Sequence, residues 1–87
     1  MMKYVELATH GKLLIRYEIE ENNKLGKVQA FRDGEFVLDH DVSEIVEKAF
    51  KFNVVSVLGK ELTEDEAQQA VSERIAAYLD RKSSERR

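Results

Sequence analysis

Residues 12–20 alternate between apolar and polar side chains, and this pattern constrains the fold more than any other feature of the chain. The apolar positions share one parity and are Leu13, Ile15, Tyr17 and Ile19, whereas Arg16, Glu18 and Glu20 share the other. A period of two is typical of a β-strand that buries one face, because successive side chains point to opposite sides. The pattern therefore predicts a strand whose Leu13 side faces the core.

Residues 3–8 are predicted to pair with this strand as a first hairpin, and the length of the turn decides the register. A two-residue turn would place Glu6 opposite Ile15 on the core face, whereas a three-residue loop would place Val5 there instead. Burying an unpaired carboxylate costs several kcal/mol. We therefore predict the three-residue loop, at residues 9–11.

Asp33-Gly34 predicts a second hairpin, because this dipeptide is one of the strongest signals for a two-residue turn between strands. The turn sets three cross-strand pairs, which are Arg32 with Glu35, Phe31 with Phe36, and Ala30 with Val37. Opposite charges and two aromatic rings then face each other, which supports this register. Both faces of the hairpin are apolar: one carries Phe31, Phe36 and Leu38, and the other carries Val28, Ala30 and Val37.

The two apolar faces of the second hairpin predict an interface, because a single layer of helices covers only one face of a sheet. We expect the uncovered face to bind a second copy of the chain, since twofold dimers are the commonest soluble oligomers. The candidate interface residues are Val28, Ala30, Phe31, Phe36 and Val37. If neither face of the hairpin forms the contact, the C-terminal helix is the next candidate.

Two capping-box patterns predict the starts of two helices. The first helix begins at Asp41 and is expected to end near Phe52, and the second begins at Thr63. The second helix carries an apolar stripe at helical spacing, formed by Ala67, Ala70, Val71, Ile75, Tyr78 and Leu79. Residues 53–58 fit either a short strand or a continuation of the first helix, and their β-branched content favours the strand.

These elements predict an α+β fold in the order β-β-β-β-α-β-α. Its mainly antiparallel sheet consists of two hairpins plus a short fifth strand, with two helices packed on one face. The 87 residues are too few for two domains. Residues 1–82 are therefore expected to form one domain, followed by a charged, frayed tail at residues 83–87. The chain has no cysteine, so neither a disulfide nor a thiolate zinc site stabilises the core.

No motif points to catalysis, and we expect neither a catalytic residue nor a cofactor. Asp39, His40 and Asp41 form the one local cluster of metal-ligating groups, but the helix needs Asp41 as its cap and neighbouring strand side chains diverge. His10 lies in the predicted turn of the first hairpin, without an orienting carboxylate nearby in sequence. The hydroxyl groups in helix caps or in the middle of elements are those of Ser43, Ser56, Thr63 and Ser72, and they match no nucleophile motif.

The charge balance argues against a dedicated nucleic-acid binder, because 17 acidic and 14 basic side chains leave a net charge of −3. Two groups of residues are candidates for contact with nucleic acid. They are the tail residues Arg81, Lys82, Arg86 and Arg87, and the outer-face residues Tyr4, Lys12 and Arg16 of the first hairpin. A small regulatory protein that contacts nucleic acid or its machinery is therefore the alternative function.

The favoured function is a small non-enzymatic protein-interaction or accessory domain that self-associates as a homodimer. The chain offers more apolar surface than two helices readily cover, and Phe52 and Val55 fall outside the main helical stripe. No apolar run is long enough to cross a membrane, and the N-terminus carries no apolar signal segment. We therefore expect a cytoplasmic protein without a membrane partner.

Overall fold

The structure is a computed structural model that describes residues 1–7 and 13–85. Within these residues the strands are β1 (Met2–Leu7), β2 (Leu14–Glu20), β3 (Lys24–Arg32), β4 (Glu35–Val37) and β5 (Gly59–Leu62). The two helices are α1 (His40–Lys51) and α2 (Glu64–Glu85). The predicted α+β class and the order β-β-β-β-α-β-α are confirmed.

The strands form one antiparallel sheet in the order β4-β3-β2-β1-β5. In the first hairpin Val5 lies opposite Ile15, as predicted, and the amide of Leu7 donates to the carbonyl of Leu13 at 2.9 Å. The predicted turn at residues 9–11 lies outside the described residues.

The second hairpin also has its predicted register, with Arg32 opposite Glu35, Phe31 opposite Phe36 and Ala30 opposite Val37. Asp33 and Gly34 form the turn with φ angles of 50° and 89°. Positive φ at both positions matches the right-handed twist of the flanking strands. The dipeptide therefore fixes this pairing through local backbone geometry.

The two helices cover opposite faces of the sheet, so the prediction that both pack on one face is wrong. Val42 and Val46 of α1 pack with Ile15, whereas Ala70 of α2 packs with Leu14. Leu14 and Ile15 are both 0% exposed although their side chains point to opposite sides of β2. Both faces of this central strand carry apolar side chains, and each face needs its own cover.

Helix α1 is capped by Asp39 rather than by Asp41, so the predicted capping box at Asp41 is wrong. The Asp39 carboxylate accepts a hydrogen bond from the Val42 amide at 3.0 Å. Arg32 holds the same carboxylate in an ion pair at 2.8 Å. Both aspartates suit a cap by residue type, and the contact with Arg32 of β3 favours the earlier one.

Replacing Asp39 by alanine is expected to lower the free energy of unfolding by about 1 kcal/mol, because the Val42 amide loses its acceptor. Asp41→Ala is the matched control and should cost about 0.5 kcal/mol or less, since Asp41 contributes only a charge in the first turn. Urea unfolding followed by circular dichroism measures both values. Equal losses in the two variants would contradict the assignment of the cap.

The predicted fifth strand exists, but it is shifted from residues 53–58 to β5. Helix α1 ends where predicted, with Phe52 as its cap residue and Asn53 in the left-handed region at φ 56°. The Val54 amide then donates to the Ala49 carbonyl at 2.8 Å, which completes a helix-ending motif. A short 3₁₀ turn follows at Val55–Val57, so neither alternative proposed for residues 53–58 is correct.

The capping box at the start of α2 is confirmed. The Thr63 amide donates to Glu66 Oε1 and the Glu66 amide donates to Thr63 Oγ1, both at 3.2 Å. These hydrogen bonds hold the pKa of Glu66 below its ordinary value, and the Lys60 ammonium adds to the effect. The helix continues to Glu85, so part of the segment assigned to the tail is helical.

Candidate binding groove on the α2 face

The predicted interface residues of the second hairpin are mostly inside the folded chain. Val28 and Ala30 are buried on the face that α1 covers. Phe31 is buried on the face that α2 covers, whereas Phe36 and Val37 are half-buried. A helix of the same chain therefore already covers each face at Val28, Ala30 and Phe31, and their assignment to an interface with a second copy stays a prediction.

Small residues and polar contacts determine how helix α2 lies across its face of the sheet. Ala67 and Ala70 are buried against the sheet, where their short side chains permit a close approach. Arg74 pairs with Glu6 of β1 at 2.9 Å. Near the other end of the helix, Tyr78 lies against Gly34 in the second hairpin turn. The helix therefore spans the sheet from β5 to the β3–β4 turn.

Beside α2, the sheet and the helix form an open groove of about 340 Å³. The side chains that line it are Tyr4 and Phe36 from the sheet, and Ala67, Gln68, Val71 and Ser72 from the helix. Phe36 is held in place by Phe31, whose ring meets it edge to face at a centroid distance of 4.9 Å. The groove is therefore mainly apolar, with two polar side chains on its helical wall.

Arg16 lies in the strand between the two aromatic residues of the groove. It is opposite Tyr4 in β1, and its guanidinium carbon is 5.5 Å from the centre of the Phe36 ring. Its Nε is buried without a hydrogen-bond partner, and among the described residues no carboxylate forms an ion pair with it. A cation without an anionic partner among the described residues therefore lies against Phe36, at the wall of the groove.

An exposed apolar stripe on α2 continues from the helical wall of the groove. Val71, Ile75 and Leu79 recur every four residues, which places them along one side of the helix. Ile75 is 39% exposed and Leu79 is 60% exposed. These three residues are called the α2 stripe below. The sequence pattern identifies these residues as part of one apolar stripe, but it does not show which part of that stripe faces the sheet.

A second group of exposed apolar side chains follows the end of α1. Phe52 is 72% exposed and Val57 is 79% exposed, and Val54 between them is also exposed. Phe52 lies off the buried stripe of α1, as predicted, whereas Val55 packs against the core. None of these residues lines the groove.

The described residues considered for catalysis or metal binding either make structural contacts or are exposed. Asp39 is occupied as cap and ion-pair partner, and His40 is exposed in the first turn of α1. Within residues 1–7 and 13–85 no three histidine or carboxylate side chains are placed to hold a metal. His10 lies outside the described part of the chain. Burial raises the pKa of the Tyr17 phenol, and the charge of Glu61 adds to this.

The basic residues considered for nucleic-acid binding do not form one surface in the described chain. Arg81 pairs with Asp33 at 3.4 Å, and the Lys82 ammonium lies 5.7 Å from the centre of the Tyr78 ring. Arg16 instead lies over Phe36, which lines the groove. The other three candidates, Lys12, Arg86 and Arg87, lie outside the described residues.

Neither described helix is long and apolar enough to span a membrane. Comparison with known proteins finds no family model, no curated protein and no solved structure that matches this chain.

Proposed function

We propose that this chain is a non-enzymatic protein-interaction domain that self-associates through the α2 stripe and the adjoining groove. The observation that supports the proposal is the exposure of Ile75 and Leu79 directly beside an apolar groove. Contiguous exposed apolar surface of this kind commonly marks a site of association. A small domain also gains stability when an oligomer buries such surface.

A twofold pairing is the simplest way to cover the α2 stripe. In an isologous contact the same patch of each copy meets, so Ile75 and Leu79 of both copies would be buried. The apolar rows of two helices can interdigitate at such a contact. Each Å² of apolar surface removed from water contributes about 25 cal/mol. The groove widens the patch, because Phe36 and Tyr4 lie next to the helical wall.

Sedimentation equilibrium on the intact chain tests this proposal. We expect a dimer at micromolar concentration, and Ile75→Lys or Leu79→Lys should raise the dissociation constant by about tenfold or more, since each places a charge in the contact. Phe52→Lys is the matched control, because Phe52 is also apolar and is more exposed than either stripe residue, but lies away from the stripe. Its dissociation constant should equal that of the wild-type chain.

Two results would contradict the proposal. One is a strictly monomeric wild-type chain at high micromolar concentration. The other is a dimer that Phe52→Lys dissociates while both stripe variants remain dimeric, which would move the contact to the end of α1. Circular dichroism of each variant separates loss of association from loss of the fold.

A further inference from the structure

Arg16, beside the groove, is a feature that apolar association alone does not explain. Its guanidinium lies over the Phe36 ring, and its Nε is buried and makes no hydrogen bond, so the group has lost some of its hydration. The contact with Phe36 offsets part of that cost but supplies no hydrogen-bond acceptor. The planar fork of an arginine is suited to a carboxylate, which accepts two parallel hydrogen bonds from it.

We infer that a carboxylate from a second copy of the chain completes this site by pairing with Arg16 in the dimer. The inference rests on the proposed self-association. Helix α2 has the chemistry that the groove requires, because it carries the apolar stripe and exposed carboxylates on the same segment. Those carboxylates belong to Glu64, Asp65, Glu73 and Asp80. An isologous contact forms the pair twice, once at each Arg16.

The pair would determine the register of the two helices as well as their affinity. Apolar stripes tolerate sliding and rotation, whereas a carboxylate must meet the guanidinium within hydrogen-bond distance. Association would also enclose the pair between Phe36, Tyr4 and the partner, where water screens it less than at an open surface. Removing one charge then leaves the other without its partner inside the contact.

Charge substitutions at position 16, followed by sedimentation equilibrium, test the inference. Arg16→Gln is expected to raise the dissociation constant about tenfold or more and to weaken its dependence on sodium chloride. The dissociation constant of Arg16→Lys should lie between those of the wild-type chain and of Arg16→Gln. An ammonium keeps the charge but cannot donate two parallel hydrogen bonds to one carboxylate as the planar guanidinium does. Thermal unfolding of each variant at a concentration below the dissociation constant shows whether the monomer is intact.

A charge exchange identifies the partner carboxylate. It also distinguishes loss of the ion pair from an effect of the Arg16 substitution on the fold of the monomer. Arg16→Asp should dissociate the dimer, and a second substitution to arginine at Glu64, Asp65, Glu73 or Asp80 should restore it at one of these positions. Wild-type affinity in Arg16→Gln, while Ile75→Lys is monomeric, would overturn this inference and leave the proposed function intact. Failure of all four exchanges would overturn the assignment to α2. A monomeric wild-type chain would overturn the inference and the proposed function together.

Discussion

Gly59→Ala is expected to remove a large part of the stability of the domain. A methyl group at this position would overlap the backbone carbonyl oxygen of Glu6 and lie 2.9 Å from the Cα of Leu7. Both obstacles are backbone atoms of β1, which pairs with Gly59 through its Leu7 position. Relief therefore requires β5 to move away from β1. Overpacking of this kind costs about 3 kcal/mol, which is a large part of the stability of so small a domain.

Gly26→Ala provides the matched control, because it makes the same chemical change in another strand. The atoms nearest to a methyl group there belong to the Glu20 side chain, at 3.1 Å, and that side chain can rotate away. We expect the free energy of unfolding to stay within about 1 kcal/mol of the wild-type value, because alanine is favoured over glycine inside a strand and offsets the crowding. Urea unfolding gives both free energies. A Gly59→Ala variant as stable as Gly26→Ala would show that β5 does not approach β1 as closely as described.

The two hairpins could be predicted from the sequence because their signals are local. The Asp33-Gly34 turn fixes its own register, and the cost of burying Glu6 decides the register of the first hairpin. In the structure the Glu6 carboxylate faces α2 and pairs with Arg74, which lies 68 residues further along the chain. Glu6 therefore avoids the Ile15 side, as predicted, whereas its contact with Arg74 could not be predicted from the sequence.

The sequence contains a signal for the placement of the two helices on opposite faces of the sheet. The two apolar faces of the second hairpin indicate a sheet covered on both sides, and the described part of the chain has two helices to supply the covers. Leu14 and Tyr4 share the parity of Arg16, so the supposed solvent face already carried two large apolar side chains.

The groove could not be predicted from the sequence, because it depends on the line along which α2 crosses the sheet. Ala67 and Ala70 bring the helix close to the strands, and the Glu6–Arg74 pair lies further along the same line. These contacts join residues that are far apart in the chain. Sequence analysis correctly places Tyr4 and Arg16 on one face, but the helical wall that makes this face a groove comes from the tertiary structure.

Leu14→Ala is expected to distinguish the two-sided arrangement from a one-sided one. Leu14 is completely buried under α2 with Phe31 and Ala70, so removing its side chain leaves a cavity in the second core. Losses for buried leucine to alanine range from about 2 to 5 kcal/mol. If both helices lay on the Ile15 face, Leu14 would face solvent and the substitution would be nearly neutral.

Leu38→Ala is the control for this prediction, because it removes the same atoms from a side chain that is 61% exposed. We expect its free energy of unfolding to stay within about 0.5 kcal/mol of the wild-type value. Ile15→Ala should be destabilising in either arrangement, since Ile15 packs under α1. A large loss for Ile15→Ala together with a small one for Leu14→Ala would contradict the packing of α2 on the sheet. The groove and the α2 stripe depend on that packing, so the same result would also remove the structural basis of the proposed dimer contact.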